Sequence, residues 1–174
     1  MSKHLERDLE RLKEQILAMG DMVENAIRKA VDALMEREEK LAREVIQGDD
    51  KINRWENHVE EECLKILALH QPVAEDLRFV AAVMKINNDL ERMGDLAMNI
   101  AERALFLAGK PPLPVIPKEL EPMSEATIRM VRDSLNMFVK RDAVQARQFC
   151  KRDDEIDQYN RNIISQLFQL MKSD

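Results

Sequence analysis

The chain has little of what builds sheets, tight turns and disulfides. Its 174 residues include five Phe, one Trp, one Tyr, four Gly and two Cys. A core must therefore come from Leu, Ile, Val, Ala and Met, which is a helical profile and not that of a β-sandwich. Glycine is too scarce for a phosphate-cradling loop, and no nucleophile elbow is present. Cys63 and Cys150 lack a second Cys or a His at zinc-site spacing, so they read as free thiols of a reducing compartment. The three histidines are isolated, and none sits in a Glu-x-x-His pair, which removes the usual ferritin-like di-iron design. The opening MSKHLERDLERLK is charged throughout, unlike a signal peptide. No apolar run approaches the ~18 residues that span a bilayer. A net charge of -6 opposes nucleic acid and anionic lipid. The expectation is a cytoplasmic protein with no nucleic-acid partner and no membrane insertion of its own.

What the chain does have is helical periodicity. Leu5, Leu9, Leu12, Ile16, Met19, Val23, Ala26 and Ala30 step by four and three, and the stripe resumes at Leu34, Leu41 and Val45. A first helix is expected from an N-cap at Ser2 to about Gln47, stopping at Gly48. A second should run from Asp49-Asp50 to His70 with Ile52, Trp55, Val59, Cys63 and Ile66 on one face. Pro72 then suits the first position of a third, which ends at Gly109. Its seam is Phe79, Val83, Ile86, Leu90, Met93, Ala97, Ile100 and Ala104. Short connections make these three helices run up, down, up.

Residues 109–122, GKPPLPVIPKELEP, carry five prolines and read as a stiff linker. Beyond them the sequence repeats. Adding 104 to a position pairs Arg28 with Arg132, Arg37 with Arg141, Asp49-Asp50 with Asp153-Asp154, Ile52 with Ile156 and Trp55 with Tyr159. A fourth helix to about Cys150 and a fifth from Asp153 are expected. The copy breaks off where Asp174 pairs with His70, before a counterpart of the third helix. The expected fold is therefore all-α, two tandem three-helix bundles with the second lacking its third helix: a first bundle at 1–109, a linker at 110–122 and an incomplete bundle at 123–174. Leu135, Phe138, Phe149, Ile163, Leu167 and Leu170 then need another cover, either because the sequence is a fragment or because another chain supplies it.

The third helix also holds a local conflict. Leu77, Ala81, Met84, Asn88, Glu91, Asp95, Met98, Glu102 and Leu105 form a stripe almost opposite its seam, apolar at the ends and acidic between. Glu91 and Asp95 are like charges four apart, which costs about 0.2–0.5 kcal/mol in a bare helix. Gly94 between them costs up to ~1 kcal/mol relative to Ala. Such departures from local preference tend to mark function. The second helix carries a matching stripe of Asp49, Asn53, Glu56 and Glu60, at the same height on an antiparallel neighbour. The two stripes either share a groove or both face away from it. Sharing would converge oxygens from Glu91, Asp95, Asn53 and Asp49 into a hard-ligand site for a divalent ion. The plain alternatives are that Asp49 and Asp153 cap helix N-termini and that Glu91 and Asp95 are solvated or ion-paired. Asn87 and Asn88 read as surface residues, His58 as an outer-face residue. Arg78, Lys85 and Arg92 make a third, basic stripe.

LERMGDLAMNIAE (Leu90–Glu102), GDDKIN (Gly48–Asn53), HQPVAEDLR (His70–Arg78) and the proline-rich linker together resemble the PhoU family of phosphate-uptake regulators, over essentially the whole chain. The resemblance implies two repeated three-helix bundles with an acidic E/D-x-x-x-D motif on each third helix, which Glu91-Arg-Met-Gly-Asp95 matches. It implies a non-enzymatic regulator, often a homodimer, that links a phosphate ABC transporter, through its ATPase, to a sensor histidine kinase held inhibited when phosphate is sufficient. It also implies a divalent metal or iron cluster (Fe, Mn, Mg or Zn) at the acidic motif. On this chain Glu91 and Asp95 are the matching metal candidates, with Asn88, Asp49 and Asn53 beside them and Arg78, Lys85 and Arg92 as a partner surface. The second acidic motif has no counterpart before Asp174. A metal buffer or metal-dependent enzyme is the alternative function.

Overall fold

A computed structural model describes residues 3–112, 115–149 and 152–173. Six helical segments follow one another among them: α1 (Lys3–Glu36), α2 (Glu39–His70), α3 (Ala74–Ala108), α4 (Leu120–Val139), α5 (Ala143–Phe149) and α6 (Asp153–Ser173). The chain is all-α, as its periodicity implies. Ser2 and Cys150 lie outside the described residues.

The helix breaks differ from expectation, and the difference matters for the site. The first helix ends at Glu36 and not near Gln47, because Arg37 turns the chain with a left-handed φ of 58°. No glycine marks this turn. Arg37 is held there by tertiary bonds, donating from Nη2 to Ala108 O at 3.0 Å and to Lys110 O at the far end of α3. Helix α2 then runs unbroken through Gly48, so Asp49 and Asp50 cap nothing and sit mid-helix. The repeat keeps this geometry: Arg141, the counterpart of Arg37, turns with φ 57°, ending the fourth helix at Val139 and not near Cys150. Helix α5 begins at Ala143, the counterpart of Glu39. The second half thus holds three helical segments where two were expected, and α4 starts at Leu120, inside the stretch assigned to the linker. Pro72 is buried in the α2–α3 turn and does not start α3; Gln71 and Ala74 flank it with φ of 43° and 48°.

Helices α1, α2 and α3 pack mutually, burying Leu12, Ile16, Met19, Val23, Val59, Cys63, Val80 and Val83. Each large aliphatic removed from water there contributes about 1.5–3 kcal/mol. The buried stripe of α3 is wider than its expected seam. It includes Val80, Asn87, Gly94 and Ala101, spaced by seven, while Ile86, Met93 and Ile100 are only half-buried. Gly94 is therefore a core position. A Cβ there would lie 3.1 Å from both Cδ1 and Cγ2 of Ile52, so the missing side chain lets α2 and α3 approach closely.

Helix α4 docks antiparallel on α1. Leu135 is buried against Gly20, where a Cβ would collide with its Cδ1. Buried Glu24 pairs with Arg132, and Arg28 pairs with Glu125. These contacts are self-consistent under the repeat. Shifting Arg28 forward by 104 gives Arg132, and shifting Glu125 back gives Asp21, and Asp21 does support the Arg132 charge alongside the stronger Glu24 bond. The same shift turns the Gly20–Leu135 pair into Ser124 and Val31, both buried. The two halves are thus related by a pseudo-two-fold axis through the α1–α4 seam. Of the residues expected to need cover, Leu135 and Ile163 are buried, and Phe138 stacks on Phe79 with centroids 5.2 Å apart. Phe149, Leu167 and Leu170 are half-buried.

Candidate functional site

The continuity of α2 through Gly48 puts Asp49, Asn53, Glu56 and Glu60 on one helical stripe, four or three residues apart. Antiparallel α3 brings Glu91 and Asp95 to the same level. Two contacts fix this register. Asn87 Nδ2 donates to Glu56 O at 2.8 Å, and Gly94 rests on Ile52. The acidic stripes consequently come near enough for their charges to act on one another. The Asp49 carboxyl is pushed above its ordinary range by burial and next by the Asp95 charge, against a bond from Asn53 and with a smaller push from Asp50. Burial likewise raises Glu91, followed by Asp95, Glu56 and Asp49, with Arg92 pulling the other way. Glu56 is raised by burial and by Glu60. Glu56, on the stripe but outside the expected ligand set, thus belongs to the same cluster.

The cleft also holds acceptors without donors. Asn53 Nδ2 donates to Asp49 Oδ2 at 3.1 Å, which leaves its own Oδ1 facing away. Asp49 Oδ1, Asn53 Oδ1 and Asn87 Oδ1 are buried and have no hydrogen-bond partner among the described residues. A buried acceptor without a partner costs about 1–3 kcal/mol, so such atoms call for a donor or a cation. The donor set is all oxygen, which suits Mg, Mn, Ca or Fe rather than a thiolate metal. Among the described residues, however, no three His, Cys, Asp or Glu side chains stand together ready to hold an ion. The carboxylates thus influence one another's charge without converging as a ready ligand set. A cavity of about 180 Å³ between α1 and α2 reaches Asp49 and Gly94, walled by Lys29, Glu44 and Gly48. Lys29 is engaged by Glu44 at 2.9 Å.

The other singled-out residues fall as follows. Asn88 is exposed, whereas its neighbour Asn87, expected at the surface, is 1% exposed and bonds α2. Arg78, Lys85 and Arg92 are all exposed on α3, Arg92 standing 3.8 Å from Asp89. His58 is not an outer-face residue: it is half-buried, 3.0 Å from the Gln15 amide and tilted against Trp55, whose Nε1 donates to Gln15 O. His70 closes α2 and meets Asp8 at 2.9 Å. Cys63 is buried, and burial and then the nearby Glu60 and Glu62 charges push its thiol up to about 12, so it is an unreactive packing residue. No helix among the described residues is long and apolar enough to cross a membrane. The missed residue, Asn87, had one signal: with Val80, Gly94 and Ala101 it recurs every seven positions.

Comparison with known proteins places this arrangement. The PhoU domain model matches residues 16–104 and again 120–174. The phosphate-specific transport system accessory protein PhoU homolog of Aquifex aeolicus is 42% identical over 169 residues, spanning 97% of this chain and 76% of that protein. The crystal structure of PhoU from Pseudomonas aeruginosa superposes with a TM-score of 0.89 at 34% identity, covering 97% of this chain and 81% of that one. The phosphate transport system regulatory protein PhoU from Streptococcus pneumoniae superposes with a TM-score of 0.89 at 30% identity, covering 98% and 80%.

Proposed function

We propose that this chain, which belongs to the PhoU family, is a non-enzymatic regulator of phosphate uptake and phosphate-starvation signalling. In this reading it works as an adaptor between the ATPase of a phosphate ABC transporter and a sensor histidine kinase, and it restrains the kinase when phosphate is plentiful. The observation that carries it is the match of both halves to the PhoU domain together with 42% identity to a phosphate-transport accessory protein. The exposed stripe of Arg78, Lys85 and Arg92 supplies a basic face for a partner. Deleting the gene is expected to raise starvation-gene expression in phosphate-rich medium, and unchanged expression would argue against the reading. Glu at all three basic positions should weaken capture of the transporter ATPase or kinase domain if that face is the contact.

A second reading concerns the acidic cleft and is favoured by the orphaned oxygens of Asp49 and Asn53. Here Glu91, Asp95, Asp49 and Asn53 hold a divalent cation or iron cluster, with Asn88 at the rim. A bound cation would offset the burial, and then the like charge, that now raise Asp49, Glu56 and Glu91. Glu91→Ala with Asp95→Ala separates the readings. Loss of metal with repression intact makes the ion dispensable to signalling. Loss of both makes it part of the regulator. Retention of stoichiometric metal by the double variant places the ion elsewhere.

A further inference from the structure

We propose that Gly94 is a positioning residue: through its contact with Ile52 it sets the α2–α3 spacing on which the acidic cleft depends. The inference rests on the cation reading for its purpose but not for its geometry. Gly94 lies one residue before Asp95 and three after Glu91, and Ile52 lies one before Asn53 and three after Asp49. The Gly94–Ile52 contact is thus the pivot about which all four cleft residues are arranged, one or three positions away on each helix. At 3.1 Å from two different carbons of Ile52, an added methyl is tighter than ordinary packing. Ile52 is 4% exposed, and as a β-branched residue in a helix it has essentially one χ1 rotamer to occupy. Its Cδ1 can turn about χ2, but its Cγ2 is fixed by χ1, so relief at that atom comes from the helices shifting by a few tenths of an ångström. The other glycine on these stripes behaves differently: a Cβ at Gly48 would meet nothing within 4 Å. Of these two glycines, position 94 is the one at which side-chain size meets the facing helix. A core glycine that served packing alone would need no such placement among four oxygen-bearing side chains.

The test has a metal-free arm. In protein carrying Cys63→Ala and Cys150→Ala, the pair Asp49→Cys and Asp95→Cys is joined by a short bis-methanethiosulfonate in EDTA. Gly94→Ala is expected to slow joining by roughly tenfold, and Ile52→Ala added to it to return the rate to within about threefold of the parent with Gly94 intact, because two separate distortions would not cancel. Thermal melts check that each variant is folded. Joining unaffected by Gly94→Ala, or no rescue by Ile52→Ala, overturns the proposal. The second arm titrates Mn²⁺ alone into protein with the native cleft. Gly94→Ala should weaken binding by roughly tenfold, again with rescue by Ile52→Ala. If the native protein takes up no Mn²⁺ while the cross-linking pattern holds, the spacing role stands and the cation reading falls. If Mn²⁺ binds the native protein and its Gly94→Ala variant equally, the spacing role falls and the cation reading stands.

Discussion

At the scale of single residues the cleft is a place of stored repulsion. Asp49, Glu56 and Glu91 each have a carboxyl raised above its ordinary value, in every case by burial first and like charge second. The sign of the pH dependence follows. Between the ordinary pKa and the raised one the native state holds more protons than the unfolded chain, so stability falls as pH climbs through that window. The loss is complete once pH has passed the raised values. Asp8, Glu44 and Glu62 are shifted the other way by His70, Lys29 and Lys65, in surface pairs that water reaches and screens. Asp49→Asn is therefore expected to raise the melting temperature of EDTA-treated protein at pH 7. The difference should shrink as pH falls and vanish below the ordinary aspartate value of 3.8, where the carboxyl is protonated in the folded and unfolded chain alike. Melts of the two proteins across that range decide it; a variant that melts lower at pH 7 would mean that the Asn53–Asp49 bond outweighs the repulsion.

At the scale of elements the decisive features are turns and crossings. Arg37 takes a left-handed conformation that costs a non-glycine residue roughly 1–2 kcal/mol, and it is kept there by what its guanidinium does for the carbonyl end of α3. Arg37→Ala keeps the backbone cost and loses the bonds; Arg37→Gly loses both. Chemical denaturation should rank arginine above glycine and glycine above alanine, the last two differing by about 1 kcal/mol. This is also where sequence reasoning failed. A glycine at 48 looked like a stop and an arginine at 37 like helix, because local rules see propensity and not the distant Ala108 carbonyl that fixes the turn. The repeat held the answer in the pairing of Arg37 with Arg141, which turn alike. Helix existence and the shared level of the two acidic stripes were legible, since both follow from periodicity and antiparallel connection. Gly94 could be read as a point of close approach, but the core status of Asn87 could not, because the close crossing of α2 at Ile52 and Glu56 widens the buried face of α3 beyond the seam that hydrophobicity alone defines. At the α1–α4 crossing, Gly20→Val would drive a branched side chain into Leu135. Overpacking of this kind costs about 1–3 kcal/mol, and Leu135→Ala in the same protein should recover part of it.

At the scale of the whole molecule, stability is unevenly spread, and the pseudo-two-fold seam is its boundary. The first half buries two connected clusters among α1, α2 and α3. The second half leans on it: Val131 and Leu135 of α4 belong to the same core as Leu12 and Val23, whereas among the described side chains of α6 Ile163 alone is buried, while Ile164, Phe168 and Met171 are 45%, 60% and 74% exposed. Helix α6 touches the rest of the protein chiefly through α4. Native-state hydrogen exchange should therefore divide the chain into three levels. Amides of α1 to α3 open only with global unfolding, those of α4 through detachment at the seam, and those of α5 and α6 through the smallest opening of all. Leu135→Ala sharpens the test because it acts on one boundary. It removes the side chain that fills Gly20's place on α1, at a cost of about 2–5 kcal/mol for a buried leucine. Exchange in α4 should then rise to the level of α6 while α2 and α3 keep their protection, giving a molecule whose acidic cleft stays intact as its second half comes free. Uniform loss of protection across all six helices would instead make the two halves one cooperative unit and the seam no boundary at all.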